Sequence, residues 1–225
     1  MWPLLIAALS LQAEPTDSAA PQRFQVLPER SVFAVVTHKT GFAARLAHNH
    51  FIVAGDYEAE LLFEPDQPLR TSFALTVPVA DLRPDDAGDR ERWGDRVAAL
   101  EIEDDLGTPG EDDRAKIREA MLSEKQLDVD RFPEITVRLM ALQEKDQTVA
   151  GEPFPWAAEI ALTVRGRTVQ RSVPLRWSYD GTVLSVEGAG RFTFEEFGIE
   201  PYSAALGSVR NRNEFDIYLN LEALR

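Results

Sequence analysis

An all-β fold, an antiparallel sandwich or barrel of about eight strands broken by one helical stretch, is what this sequence predicts. Three observations carry that expectation. Apolar residues recur at every second position in seven separate runs, the mark of strands with one buried and one wetted face. Turn signals, Asp180-Gly181 and Gly166 among them, separate neighbouring runs as hairpin turns do. The 225 residues, 44% of them hydrophobic, suffice for one large domain with a core.

The chain opens on MWPLLIAALSLQAEP, apolar from Trp2 to Leu11. This run is too short for a spanning helix, which takes roughly 20 residues. It fits the core of a secretory signal, with Ala13 or Ala20 as the small residue at the cleavage site. Residues 1–20 are therefore assigned to a signal peptide and linker, and residues 21–225 to one domain. A periplasmic or secreted location follows, with no stable membrane anchor after cleavage.

Ser31 to His38 supplies the first strand. The clearest alternation lies between Phe51 and Phe63, where Phe51, Val53, Gly55, Tyr57, Ala59, Leu61 and Phe63 share one parity and Asp56, Glu58 and Glu60 the other. It predicts a strand with one apolar face. Phe73 to Val79, Ile135 to Ala141, Ile160 to Val164, Val169 to Trp177, Leu184 to Phe194 and Phe215 to Leu221 repeat the pattern.

Between Asp85 and Asp130 the alternation stops. The segment holds 16 acidic and 7 basic residues, and so carries −9 of the net −14. Thr108-Pro109-Gly110-Glu111 has the form of a capping box with proline at the first helical position. Ile117 and Met121, four apart, then place a thin apolar stripe on a helix reaching Leu122. A second, weaker helix is expected from Gly88 to Leu100. The insertion at about 85–130 reads as a solvated helical excursion across one end or side of the sheet.

Composition excludes several functions. A net charge of −14 repels phosphate backbones and anionic bilayers, which argues against nucleic acid as a partner. The absence of cysteine removes disulfides, thiol nucleophiles and Cys–zinc sites. There is no Gly-x-Ser-x-Gly, no His-Glu-x-x-His and no phosphate- or dinucleotide-binding fingerprint. The carboxylate pairs Asp85-Asp86, Asp104-Asp105 and Asp112-Asp113 lie in the polar excursion, where nothing signals the burial that raises a pKa. No catalytic residue is assigned.

Two features invite a site. His38, His48 and His50 are the three histidines. Two histidines two apart on an extended chain point the same way and can share a metal, with the third completing a triad; the alternative is a set of polar rim residues. The aromatics Phe33, Phe51, Tyr57, Phe63, Phe73, Trp177, Phe192, Phe194 and Phe215 fall on the apolar parity of their strands. A closed barrel of about eight strands is only just fillable by side chains. Gly55, Ala59, Gly188 and Gly190 share the inward parity and would leave an apolar void, which takes an apolar guest. A solid core is the alternative.

Four segments in order resemble the YceI-like family. They are Ser31-Val32-Phe33-Ala34-Val35 with His38 and the Phe51–Phe63 run; Met121-Leu122 with Leu127-Asp128-Val129-Asp130-Arg131-Phe132-Pro133-Glu134-Ile135; Ala161-Leu162-Thr163-Val164-Arg165-Gly166-Arg167-Thr168; and Gly190-Arg191-Phe192 to Phe197-Gly198-Ile199. The resemblance spans about residues 23 to 223. It implies a lipocalin-like antiparallel β-barrel, exported, that holds a long isoprenoid chain (a polyprenyl phosphate or a quinone) in an apolar tunnel. Ala47-His48-Asn49-His50 departs from the usual Val-x-Gly at that place, and the acidic excursion is longer than the family's.

On this basis the expected function is that of a binding protein, not an enzyme, with no cofactor beyond the isoprenoid or quinone lipid. Expected wall residues are Phe33, Phe51, Val53, Tyr57, Leu75, Val137, Leu175, Trp177, Phe192, Phe194 and Phe215. Expected head-group residues are His38, Lys39, Arg45, His48 and His50. The rival reading is a metal protein with hydrolytic or redox activity built on His38, His48 and His50, and a third is an interaction module acting through the acidic excursion. An exposed barrel edge offers a route to a homodimer.

Overall fold

The computed structural model describes residues 21–41, 48–103, 105–204 and 209–225. The expected signal segment and Arg45 lie outside them. The strands are β1 (Gln22–Val26), β2 (Val32–Thr40), β3 (His50–Ala54), β4 (Glu58–Phe63), β5 (Ser72–Pro78), β6 (Leu82–Pro84), β7 (Glu134–Glu144), β8 (Thr148–Val149), β9 (Glu152–Pro153), β10 (Trp156–Val164), β11 (Arg167–Tyr179), β12 (Val183–Thr193), β13 (Ser203–Ala204) and β14 (Val209–Leu224). Two helices, α1 (Ala87–Ala99) and α2 (Glu111–Leu122), stand between β6 and β7.

The strands β1-β4-β5-β7-β10-β11-β12-β14 form a closed antiparallel ring of eight, shut by pairing of β1 with β14. Three of its strands are bent, and their other halves continue the wall: β2 follows β1 along β14, β3 precedes β4, and β6 follows β5. The expected eight-stranded lipocalin-like barrel with a helical insertion is the observed fold. The short β8–β9 ribbon stands apart, and β13 adds to one end of β14.

The bend at Gly55 has a steric cause. Its N–H donates to Asp81 O at 2.9 Å, and a Cβ there would lie 2.5 Å from that oxygen. The expected strand between Phe51 and Phe63 is therefore two strands. The bend also shifts the side-chain parity: Ile52 and Ala54 face the barrel interior, whereas Phe51 and Val53 face outward under α1. After the bend, Leu61 and Phe63 face inward as the alternation predicts.

A bulge makes a second parity shift. Glu159 pairs with Ala141 but Ile160 with Leu139, so Met140 is the extra residue and stands 57% exposed. Ile135, Val137 and Leu139 point inward before it; Leu142, not Ala141, does so after it.

Local chemistry sets the turns and caps. Arg165 and Gly166, between β10 and β11, have φ of 51° and 70°, the two positive values a type I′ hairpin needs. Asp180 Oδ1 accepts from the N–H groups of Thr182 and Val183 at 2.9 and 2.8 Å, closing the β11–β12 turn. The Asp86 side chain caps α1 through Gly88 and Asp89 N–H, close to the expected start. The capping box at Thr108 is not used. Helix α2 starts at Glu111 with Gly110 as N-cap, and Glu111, Asp112 and Asp113 sit instead in the first turn, where the helix dipole favours them.

Helix α1 lies on the outside of the barrel. Val97, with Leu100 and Ile102 beyond it, packs on Val32, Val36, Phe51 and Val53 to form a second apolar layer. Beside that layer the buried Glu187 receives Arg96 at 2.6 Å and Arg176 at 2.5 Å. Both arginines also bind Glu152, and the Tyr218 hydroxyl donates to Glu187 at 3.1 Å. Each charge taken from water thus has partners, without which its burial would cost several kcal/mol. The two arginines hold the Glu187 carboxyl below its ordinary range against the effect of burial.

Candidate functional site

The barrel is hollow. An inner chamber of about 170 Å³ is walled by Leu, Ile, Val, Ala and Phe from β2 to β14. No charged side chain lines it; Thr71, Trp177 and Tyr218 are its only polar-tipped residues among those described. Aromatic edges close one end, where Phe63 meets Phe24 at 5.6 Å and Trp177 at 5.1 Å between ring centroids.

Toward the other end lies an outer chamber of about 220 Å³. Val35, Ile52, Leu82 and Ile135 line both spaces, so the two chambers adjoin along the barrel interior. Helix α2 lies over this end and contributes Lys116, Ile117, Ala120 and Met121. Phe194, Phe197 and Phe215 form the facing wall. The charged side chains and most of the polar ones enter here: Thr37, His50, Lys116, Gln126, Tyr202 and Asn211. A polar depression of about 580 Å³, bearing Lys125, Arg165 and Glu200, shares Ala120, Gln126 and Tyr202 with the outer chamber and continues it outward. Polarity therefore rises along the axis from hydrocarbon to charge.

Of the expected wall residues, Phe33, Leu75, Val137, Leu175 and Trp177 line the inner chamber, and Phe194 and Phe215 the outer one. Phe51 and Val53 lie on the opposite face of the sheet and hold α1, because the Gly55 bend reversed their parity. Phe192 is fully buried behind the outer wall against Phe197 and Phe215. Tyr57 packs edge-on to Phe33 outside both chambers. Ile52, Leu61, Ile160 and Leu162 were not among the expected residues, yet they line the bore.

The glycines do not create the void. A Cβ on Gly190 would meet Val173 Cγ2 at 2.8 Å, and one on Gly188 would meet Leu175 Cδ1 at 3.2 Å. They permit close approach of neighbouring strands.

The histidines do not converge. His38 lies on the outer face, its Nε2 2.7 Å from Asp216 Oδ2 and its Nδ1 3.0 Å from Glu103 Oε2. Arg191 completes this cluster through Asp216 at 2.9 Å. The Asp216 hydrogen bond, countered by burial and aided by Glu103, raises the His38 pKa. His48 is exposed and packs on Gly107. Lys39 pairs with Asp105. Among the described residues no group of three His, Asp or Glu side chains is placed to share a metal. The rival reading of a histidine triad is not met: alternate parity along β2 and β3 sends His38 and His50 to opposite sides of the sheet.

Only His50 reaches the bore. It pairs across strands with Thr37, and its Nδ1 lies 2.7 Å from Asp85 Oδ2. Asp85 is buried and also takes the Phe51 N–H at 3.0 Å and the Arg90 guanidinium. Burial works to raise its pKa, but His50, the Phe51 amide and Arg90 together hold it low.

This closed eight-stranded barrel, hollow and graded in polarity, can be set beside known proteins. The YceI-like domain matches residues 24–223. The chain belongs to the YceI-like family. BcnA of Burkholderia cenocepacia is similar in fold, with a TM-score of 0.59 at 15% identity over 88% of this chain and 99% of that one. So is a polyisoprenoid-binding domain from Saccharophagus degradans implicated in plant cell wall breakdown, with a TM-score of 0.52 at 9% identity over 91% of this chain and 98% of that one. No curated protein matches the chain. At such identities these two structures speak to the fold of this YceI-like barrel; its site rests on its own residues.

Proposed function

We propose that this YceI-like protein is an exported carrier that holds a long-chain isoprenoid lipid in its bore, tail inward and head group at the α2 end. The observation that carries this reading is the pair of adjoining apolar chambers with charged groups at one end only. The inner chamber alone is comparable to the roughly 150 Å³ apolar cavities that stay dry and take up benzene. Left unfilled, at roughly 24 cal/mol per Å³ it would cost about 4 kcal/mol, a large fraction of a typical domain's stability. An apolar guest recovers that energy, and each buried methylene adds about 0.8 kcal/mol before the costs of association.

The family membership and the Saccharophagus domain described as polyisoprenoid-binding support an isoprenoid over other lipids. The polar residues of the outer chamber suit either a quinone-like ring or a polyprenyl phosphate, with Lys116 and, beyond it, Lys125 and Arg165 on the outward path. Binding rather than catalysis is what the bore suits. Mass spectrometry of an organic extract of the untagged protein tests the proposal. A stoichiometric isoprenoid is expected; a different lipid class, or stoichiometric bound metal, would overturn it.

A further inference from the structure

One buried hydroxyl at the outer chamber is unspent. Thr37 follows Phe33 and Val35 on the inward parity of β2 and lines that chamber. It is 3% exposed, and its Oγ1 has no hydrogen-bond partner among the described residues. A buried hydroxyl left so costs stability, which a partner brought by a ligand recovers. The ladder beside it is broken. Phe215 pairs with Thr37 but Asn211 with Lys39, so residues 212–214 bulge out of β14, an irregularity that sheets favour next to functional sites. The bulge spends its own groups elsewhere: Asn213 accepts from the Phe194 N–H at 2.9 Å through its carbonyl and from the Glu195 N–H at 3.2 Å through its side chain.

The cations around the chamber are committed too. His50 is held by Asp85 at 2.7 Å. Lys116, its side chain 73% exposed, reaches Asp113 at 3.0 Å. Farther out, Arg165 donates to the Gly198 and Glu124 carbonyls at 3.2 and 2.9 Å. A phosphate drawn into the chamber would carry a charge of about −1.5 to −2 among cations already partnered, and its desolvation would go uncompensated.

We infer that Thr37 reads the head of the lipid: its hydroxyl hydrogen-bonds an uncharged head-group oxygen, as of an alcohol, phenol or quinone, and so stops the head inside the outer chamber instead of at the rim. This inference rests on the isoprenoid reading and names the residue that recognises the head. Threonine suits the task, because its hydroxyl donates to a carbonyl or hydroxyl oxygen and accepts from a hydroxyl. The apolar walls near it, Val35, Ile52 and Phe215, form the low-dielectric setting in which such a bond is strong.

Calorimetric titration of delipidated parent, Thr37→Val and Thr37→Ser with a tetraprenyl alcohol, a tetraprenyl phosphate and a headless tetraprenyl hydrocarbon tests this. Thr37→Val removes a hydroxyl that has no partner and is expected to fold as well as the parent. It should bind the alcohol about tenfold more weakly and the hydrocarbon equally well, while Thr37→Ser keeps the parent's affinity for the alcohol. The phosphate is expected to bind the parent more weakly than the alcohol does. Unchanged alcohol affinity in Thr37→Val, an equal loss in Thr37→Ser, or a phosphate that binds tighter than the alcohol would overturn the role of Thr37, while hydrocarbon binding leaves the isoprenoid reading intact. Failure of all three ligands to bind the parent would overturn both.

Discussion

Val173 occupies the space that a side chain at position 190 would need: its Cγ2 lies 2.8 Å from where a Cβ on Gly190 would stand. Gly190→Ala is therefore expected to destabilise the barrel by about 1–3 kcal/mol, the range for forcing extra volume into a packed site. Adding Val173→Ala should restore part of that loss by opening room beside the new methyl. Urea denaturation of the single and double variants measures both effects. A neutral Gly190→Ala would mean the strands are not pressed together there.

Phe51 separates packing from binding. It is fully buried beneath α1, on the side of the sheet away from the bore. Phe51→Ala should cost about 3–5 kcal/mol of stability, read from the denaturation midpoint. Isoprenoid affinity of the folded variant should stay within about twofold of the parent, well under the tenfold that 1.4 kcal/mol represents. A larger loss would place Phe51 in the bore wall.

The His38–Asp216 pair should shape stability against pH. His38 is raised above its ordinary value, chiefly by Asp216 against the effect of burial, so its contribution is complete below about pH 6.5 and is lost as the pH climbs through the raised value. Burial pushes the Asp216 carboxyl up, but His38 and Arg191 outweigh it and the pKa is lowered. Its contribution is complete above about pH 3.9 and is lost as the pH falls through the lowered value. The denaturation midpoint should thus be flat between those limits and decline on either side. His38→Gln should flatten the alkaline decline; a decline of unchanged size in that variant would show that it arises elsewhere.

The barrel was legible because most of its strands alternate cleanly. Phe73, Leu75 and Val77, or Leu184 and Val186, face the bore as their spacing predicts. Where prediction failed, the cause was a backbone irregularity that leaves the apolar pattern looking continuous. Gly55 reads as one more inward residue, yet the chain bends at it. Phe51 and Val53 then look like wall residues because the outer face there is apolar as well, covered by α1. No local pattern announces that second layer. Thr37 was within reach, since it shares parity with Phe33 and Val35 on β2, but a lone threonine among apolar residues carries no signal until its hydroxyl is seen to lack a partner. His38 and His50 were set together by their closeness in sequence, whereas the sheet places its two faces between them.

The most direct test of the hollow bore is calorimetric titration of the delipidated protein and of Val137→Trp with a tetraprenyl alcohol. Val137 stands on β7 between Leu75 and Leu162 and lines the inner chamber, so an indole there fills space a tail would occupy. The parent is expected to bind one molecule, and the folded Val137→Trp protein to bind at least about tenfold more weakly. Equal affinity in the two proteins would contradict the placement of the lipid inside the barrel.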